Sequence, residues 1–319
     1  ESHRQNSTVT MSSRKKSQTP TVAVAAPEAT LVKVEPIKEV AVSPTNRKKT
    51  KANFSTMKSN SDGTKTSTLK PPNERQAKEF LSKHKWPSGL QDALVKSCRK
   101  IAIRYIITDD SGSMMTNDGH RLIGGGTKNV KIIQCTRWSE LTSSLCFHAE
   151  LAHAAQAPTI FRLLNNCEPI SVGFDTDKEG VGLAAALTVF EEESPAGQTP
   201  LCYHVNEVVE AIRAQETELR ATGRKACVVI ASDGESTDGN LADALRPLED
   251  LPVWVVVRLC TDEDQVVEYW NNIDGQLELE MDVLDDLSGE ALEVTTANPW
   301  MHYGDPLHKL REFGASIVE

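Results

Sequence analysis

From residue 101 onward the chain alternates between short, continuous apolar runs and longer stretches with helical periodicity. Residues 101–107, 226–231 and 253–257 are apolar and rich in β-branched side chains, with Arg104 the main interruption. Runs of that length suit strands covered on both faces, as in a parallel sheet. Residues 159–164 and 170–174 make a further pair, close enough in sequence for an antiparallel hairpin. Residues 138–155 read as one helix. Leu201, Val205, Val208, Val209, Ile212 and Leu219 form the apolar stripe of a second, which Gly223 should stop. Residues 263–271 and 283–292 read as further helices. Two short helical patterns, 74–83 and 90–98, precede the first strand, with Trp86-Pro87-Ser88-Gly89 breaking them apart. This alternation predicts an α/β fold: a doubly wound, mostly parallel sheet of about six strands with flanking helices.

Charge divides the chain differently. Residues 1–72 carry 13 basic and 5 acidic side chains, whereas 73–319 carry 22 and 40, so the net charge of -10 hides a basic arm on an acidic body. The arm has one aromatic residue, Phe54, and is mostly Ser, Thr, Lys, Pro and Val. Such a segment buries too little apolar surface to offset its ordering entropy and is expected to be disordered. Its clusters Arg14-Lys15-Lys16 and Arg47-Lys48-Lys49 are short enough to read as lysines that keep a soluble tail extended, rather than as a nuclear address or a nucleic-acid contact. Four regions follow: the arm (1–72), a helical lead-in (73–100), the α/β domain (101–260) and an acidic helical extension packed on it (261–319). Residues 259–308 contain 13 acidic side chains and no Lys or Arg. That run is a solvated surface or a dock for a basic partner.

Seven widely spaced cysteines, none in a CxxC pair, suggest reduced thiols in an intracellular, cytoplasmic or nuclear, protein. No apolar run approaches the roughly 20 residues of a membrane-spanning helix. The chain begins with Glu1 rather than Met, which leaves room for a targeting peptide upstream.

Candidate chemistry lies where two strands end. In open α/β sheets, ligands bind beyond the carboxyl ends of the strands. The first strand runs into Thr108-Asp109-Asp110-Ser111-Gly112-Ser113, and the strand at 226–231 runs into Ser232-Asp233-Gly234. Gly197-Gln198-Thr199-Pro200 sits before the long helix. Asp109, Ser111, Ser113, Thr199 and Asp233 would then share one rim. Carboxylates and hydroxyls are hard oxygen donors, suited to Mg²⁺, with Ca²⁺ or Mn²⁺ as the other candidates, and poor for zinc.

The order Asp-x-Ser-x-Ser, then Thr in Gly-Gln-Thr-Pro-Leu, then Asp-Gly after an apolar strand, resembles the metal-ion-dependent adhesion site of von Willebrand factor A (VWA) domains. The resemblance spans about 101–259 and fills all five ligand positions. The flanking stretches Trp86-Pro87-Ser88-Gly89-Leu90-Gln91 and Trp270-Asn271-Asn272 are similar to those of a group of algal VWA proteins. The resemblance implies a non-catalytic, protein-binding module within a multi-protein assembly. It also implies direct ligation by Ser111, Ser113 and Thr199, with Asp109 and Asp233 acting partly through water, and a partner Asp or Glu completing the site. One departure is the length between Ser113 and Thr199. The excess is placed at 116–131, a glycine-bearing segment that is either a partner-selecting lid or a hairpin insertion.

Other signals fail on their spacing. Asp175-Thr176-Asp177 imitates a calcium loop, but its twelfth position is Ala186, where a bidentate Glu is required, so a helix start is the better reading. Gly124-Gly125-Gly126-Thr127-Lys128 lacks the order of a phosphate loop, and His148 and His153 are five apart rather than four. A Mg²⁺-dependent phosphohydrolase using Asp109 would need a carboxylate two residues on, where Ser111 stands.

Overall fold

The computed structural model describes residues 71–315, apart from 124–130, 166–167, 176, 178 and 262. The basic arm therefore lies outside the described residues except for Pro71 and Pro72. Helices α1 (Glu74–Lys83) and α2 (Ser88–Lys100) lead into β1 (Ile101–Thr108). A 3-10 turn (Gly112–Met115), β2 (Gly119–Ile123), β3 (Lys131–Cys135) and α3 (Arg137–Ala155) follow. Next come β4 (Thr159–Leu163), β5 (Ile170–Val172), α4 (Val181–Glu192), α5 (Leu201–Arg213) and α6 (Glu216–Thr222). The remainder is β6 (Lys225–Ser232), α7 (Leu241–Leu245), β7 (Val253–Leu259), α8 (Asp264–Asp274), β8 (Met281–Leu284), α9 (Leu287–Ala297) and α10 (Asp305–Glu312).

Six strands form one sheet in the order β5-β4-β1-β6-β7-β8. All neighbours are parallel except β5, which returns antiparallel to β4 as the short connection predicts. Counted along the chain within this sheet, the order is third, second, first, fourth, fifth, sixth. The winding therefore reverses between β1 and β6, which opens a crevice at their carboxyl ends. Alternate residues of β1 serve the two faces. Ile103, Tyr105 and Ile107 pack against the stripe Val205, Val208, Val209 and Ile212 of α5, while Ile106 joins Leu141, Leu145 and Ala149 of α3 on the other side.

Two segments differ from the periodic reading. The second long helix stops at Arg213. Gln215 caps a separate α6, and its amide donates to Tyr105 Oη of β1 at 2.8 Å. Leu219 belongs to that second piece, and Gly223, at φ 64°, ends it as expected. The helix expected at 283–292 begins late. Val283 and Leu284 belong to β8, which pairs with β7, and Asp286 then caps α9 by accepting from Gly289 N at 2.6 Å. The sixth strand thus comes from the segment read as a helical extension. The long 116–131 stretch opens a β-hairpin, β2 with β3 antiparallel, that runs on to Cys135; its residues 124–130 lie outside the described set. The phosphate-loop imitation at 124–128 falls there too.

Five carboxylates of the acidic run have partners within the protein. Glu263 pairs with Arg137, Glu280 with Lys225, Asp282 and Glu290 with Arg311, and Asp305 with Lys309. Among the described residues, no helix is long and apolar enough to cross a membrane. The described cysteines 98, 135, 146, 202, 227 and 260 are free thiols, and burial pushes Cys227 and Cys260 up to about 12. Cys167 lies outside the described residues.

Helix α10 and the Phe313 that follows it are fastened by two arginines inside the sheet. Arg104, the polar interruption of β1, is fully buried. Its Nε donates to Phe313 O at 2.9 Å, and its guanidinium lies 4.1 Å from the Phe313 ring centroid. Arg258 of β7 bridges Glu140 of α3 and Glu312 of α10, the latter at 3.2 Å. Glu312 also accepts from Ser144 and lies 3.0 Å from His148 Nε2. Burial would push the Glu312 carboxyl up, but the neighbouring His308 and His148 hold it well below the usual carboxylate range.

Breaking a buried pair leaves an uncompensated charge, at a cost of about 3–5 kcal/mol. Glu312→Gln should therefore lower the urea-unfolding free energy by about 3 kcal/mol at pH 7. A carboxyl with a depressed folded pKa contributes stability above its unfolded value of about 4.3, and that stability is lost as pH falls through the folded value. The gap between wild type and Glu312→Gln should accordingly narrow as pH falls below about 4.

Candidate functional site

At the reversal point, β1 ends in Thr108 and β6 in Ser232, side by side in the sheet. Asp109 follows directly and is fully buried. Its Oδ1 accepts from Ser111 N at 2.8 Å and its Oδ2 from Ser232 Oγ at 2.6 Å. Burial raises the Asp109 carboxyl, the bonds from Ser232 and Ser111 oppose that, and the charge of Asp233 adds to the rise. The turn then presents Ser111 and Ser113, whose hydroxyl oxygens lie 2.9 Å apart. Ser113 donates to Asp233 Oδ1 at 2.8 Å, across from β6. Asp109, Ser111, Ser113 and Asp233 are thus joined by one run of hydrogen bonds. Ser113 is exposed; the other three are buried.

Thr199 lies on the loop before α5 and is held there through its backbone. Thr237 exchanges bonds with it: Thr199 N donates to Thr237 Oγ1 at 3.1 Å, and Thr237 N to Thr199 O at 2.9 Å. The loop is pinned to the Asp109 turn by Ala196 N to Asp110 O at 2.8 Å and Gly112 N to Gly197 O at 3.4 Å. Gly197 has φ 101°, and a Cβ there would meet Asn165 Oδ1 at 2.6 Å, so both conformation and space call for glycine.

Several residues of the site have no place in the motif. Asp110 Oδ1 accepts from Asn165 N at 2.9 Å and Asn165 Nδ2 at 3.0 Å; Asn165 Nδ2 also donates to Gln198 O at 2.8 Å. Burial pushes the Asp110 carboxyl up to about 6 despite those bonds, and its Oδ2 is buried without a partner. Arg137, first residue of α3, is buried behind Asp233. Its Nη1 donates to Asp233 Oδ2 at 3.0 Å, its Nε and Nη2 to Asp118 at 2.8 and 2.6 Å, and its Nη2 to Glu263 at 2.7 Å. The fork onto Asp118 is the main cause holding that arginine's pKa above its ordinary value against burial, and it draws the Asp118 carboxyl down.

The donor set suits a hard divalent cation. An octahedral ion with ligands at about 2.1 Å places neighbouring oxygens about 3 Å apart, which is the separation of the Ser111 and Ser113 hydroxyls. Among the described residues, no three His, Cys, Asp or Glu side chains gather into a metal-holding group, so a cation here would depend on hydroxyl oxygens. Ser144, His148 and Glu312 also meet, below the rim. Both the serine oxygen and the carboxylate approach the same ring nitrogen, Nε2, whereas a nucleophilic triad uses the two ring nitrogens for its two partners. The imitation calcium loop does start a helix: Asp177 Oδ1 accepts from Gly182 N at 2.8 Å, in the first turn of α4.

No protein-family model matches the chain, and no curated protein matches its sequence. Among solved structures it is similar to the conserved hypothetical protein BatB from Bacteroides thetaiotaomicron. There the TM-score is 0.40 and the identity 12%, over 66% of this chain and 98% of that one. It is also similar to the manganese-loaded TRAP protein of Plasmodium vivax, with a TM-score of 0.35 and 13% identity over 64% of this chain and 75% of that one.

The Asp110 environment makes a distinct prediction. A carboxyl raised to about 6 in the folded protein binds more protons than in the unfolded chain, so stability falls as pH rises from about 4 to 6. Asp110→Asn keeps an acceptor for Asn165 and removes that burden. Urea denaturation should show a flatter profile between pH 4 and 6 and a gain of about 1 kcal/mol at pH 7.5.

Proposed function

We propose that Asp109, Ser111, Ser113, Thr199 and Asp233 hold a divalent cation, Mg²⁺ before Ca²⁺ or Mn²⁺. On this reading the protein is a non-catalytic, VWA-type binding module that engages a carboxylate of a protein partner, within an intracellular multi-protein assembly. The observation that carries this reading is the run of hydrogen bonds linking Ser111, Ser113 and Asp233 at the winding reversal of the sheet, the place where such folds bind ligands. When bound, the ion supplies an electrophilic position for a hard anionic oxygen. Ser111 and Ser113 offer neutral oxygens. Both oxygens of Asp109 already accept hydrogen bonds, which favours its acting through water. Asp233 shares its charge with Arg137. The body of the chain is strongly acidic, so it repels an acidic partner unless a cation stands between them.

Two other readings are weaker. A phosphohydrolase would require Asp109 as nucleophile, yet that carboxylate is fully buried with both oxygens engaged. A scaffold gripping basic partners would rely on exposed acids such as Asp264, Glu268 and Glu278, since several others in the acidic run already have internal partners.

Calorimetry tests the metal first. Asp233→Ala should abolish measurable Mg²⁺ binding and still fold, because Arg137 keeps Asp118 and Glu263 as partners. Affinity purification tests the partner: proteins recovered with the wild type should be lost in EDTA and with Ser111→Ala. Recovery of the same proteins under both conditions would place the grip elsewhere, with the exposed acids of α8 as the next surface to vary.

A further inference from the structure

The five-residue motif leaves Arg137 unexplained. Its guanidinium is almost wholly buried and holds three carboxylates from three segments: Asp233 after β6, Asp118 at the neck of the hairpin, and Glu263 at the start of α8. The Asp233 side chain has no exposed surface, and its two oxygens are divided between Ser113 and Arg137. A buried carboxylate needs a positive partner, and here that partner is built into the chain.

We propose that Arg137 is the charge-setting residue of this rim: by holding Asp233 Oδ2 it lowers the affinity of the site for a divalent cation and keeps Asp233 aimed at Ser113. The inference rests on the cation reading above and goes beyond it by giving the sign of Arg137's effect. Electrostatics fixes that sign. A guanidinium one carboxylate away repels an ion on the other oxygen, and it withdraws negative charge from the ligand that would attract the ion. Asp118 and Glu263 offset part of the guanidinium charge, so they act in the opposite direction. The arrangement also ties the hairpin neck and the start of α8 to the same carboxylate, so a cation pulling on Asp233 pulls against both. Arg137 is a positioning residue here, since it reaches the cation only through Asp233.

The test measures Mg²⁺ affinity by calorimetry and the Mg²⁺-induced shift of thermal unfolding, on the full chain. Arg137→Gln should unfold at a lower temperature without Mg²⁺. It should also bind the ion at least about tenfold more tightly and show a larger Mg²⁺-induced shift, because a nearby unit charge acts strongly on a divalent ion. Asp118→Asn, on a half-exposed residue, leaves Arg137 less neutralised and should weaken Mg²⁺ binding severalfold. Arg137→Lys keeps the charge and should stay close to wild type in affinity, which separates charge from shape. Should Arg137→Gln fail to fold, Asp118→Asn alone decides the matter. Wild-type binding that disappears in Asp233→Ala but is unchanged in Arg137→Gln or in Asp118→Asn overturns this proposal and leaves the cation reading standing. No Mg²⁺ binding by wild type and by Arg137→Gln overturns both.

Discussion

The polar face of α3 is buried, and every charge on it has to be paired where it lies. Arg137, Glu140, Ser144 and His148 follow one another at spacings of three, four and four, so they share one side of the helix. That side meets the carboxyl half of the sheet, the hairpin and α10. Arg137 takes Asp233, Asp118 and Glu263; Glu140 takes Arg258 and the backbone N–H of His120; Ser144 and His148 take Glu312. An unpaired charge in this layer would cost several kcal/mol. The hairpin, α8 and α10 therefore have few positions open to them. Well-packed apolar residues could give comparable stability there. Charges add direction, because each guanidinium accepts partners only in its own plane.

The rim is built on that layer. The winding reversal between β1 and β6 brings Asp109 and Asp233 together, and the remaining work is done by short bonds. Ser232 and the Ser111 amide fix Asp109, Asp110 and Asn165 fasten the Thr199 loop to the turn, and Arg137 turns one oxygen of Asp233 away from the serines. Of the five motif residues, Ser113 alone is exposed. The price of this order is carried by Asp110, whose burial raises its carboxyl far above the ordinary value.

The acidic extension gains a different meaning in three dimensions. Its strand β8 completes the sheet, and its carboxylates at 282 and 290 hold Arg311 of α10. Glu312, next in sequence, faces the opposite partners, Arg258 and the α3 histidine. Two adjacent residues of α10 thus join both sides of the same joint. The segment is a structural part of the α/β body, and its exposed acids are those that this joint leaves over.

Much of this was legible in the sequence because apolar patterning is local. β-branched runs gave β1, β6 and β7, the stripe of α5 matched its buried face, and the order of the Asp-Ser and Asp elements pointed to the ends of β1 and β6, where Asp109, Ser111, Ser113 and Asp233 are joined by hydrogen bonds. The pattern failed where a long-range bond decides the outcome. Gln215 reaches Tyr105 where the helix breaks between α5 and α6, and β8 forms because β7 offers it a free edge. The same holds for the residues behind the rim. Arg137, Asp118 and Glu263 lie far apart in sequence, and nothing in their local composition marks them as partners. The one local trace is the polar spacing along α3, which reads as a solvated face until the sheet covers it. Sequence alone determined which segments could be strands, which helices, and which oxygens could gather at the strand ends. Only the tertiary structure decided which charges would be buried together, because burial depends on what packs above a residue and not on its neighbours in the chain.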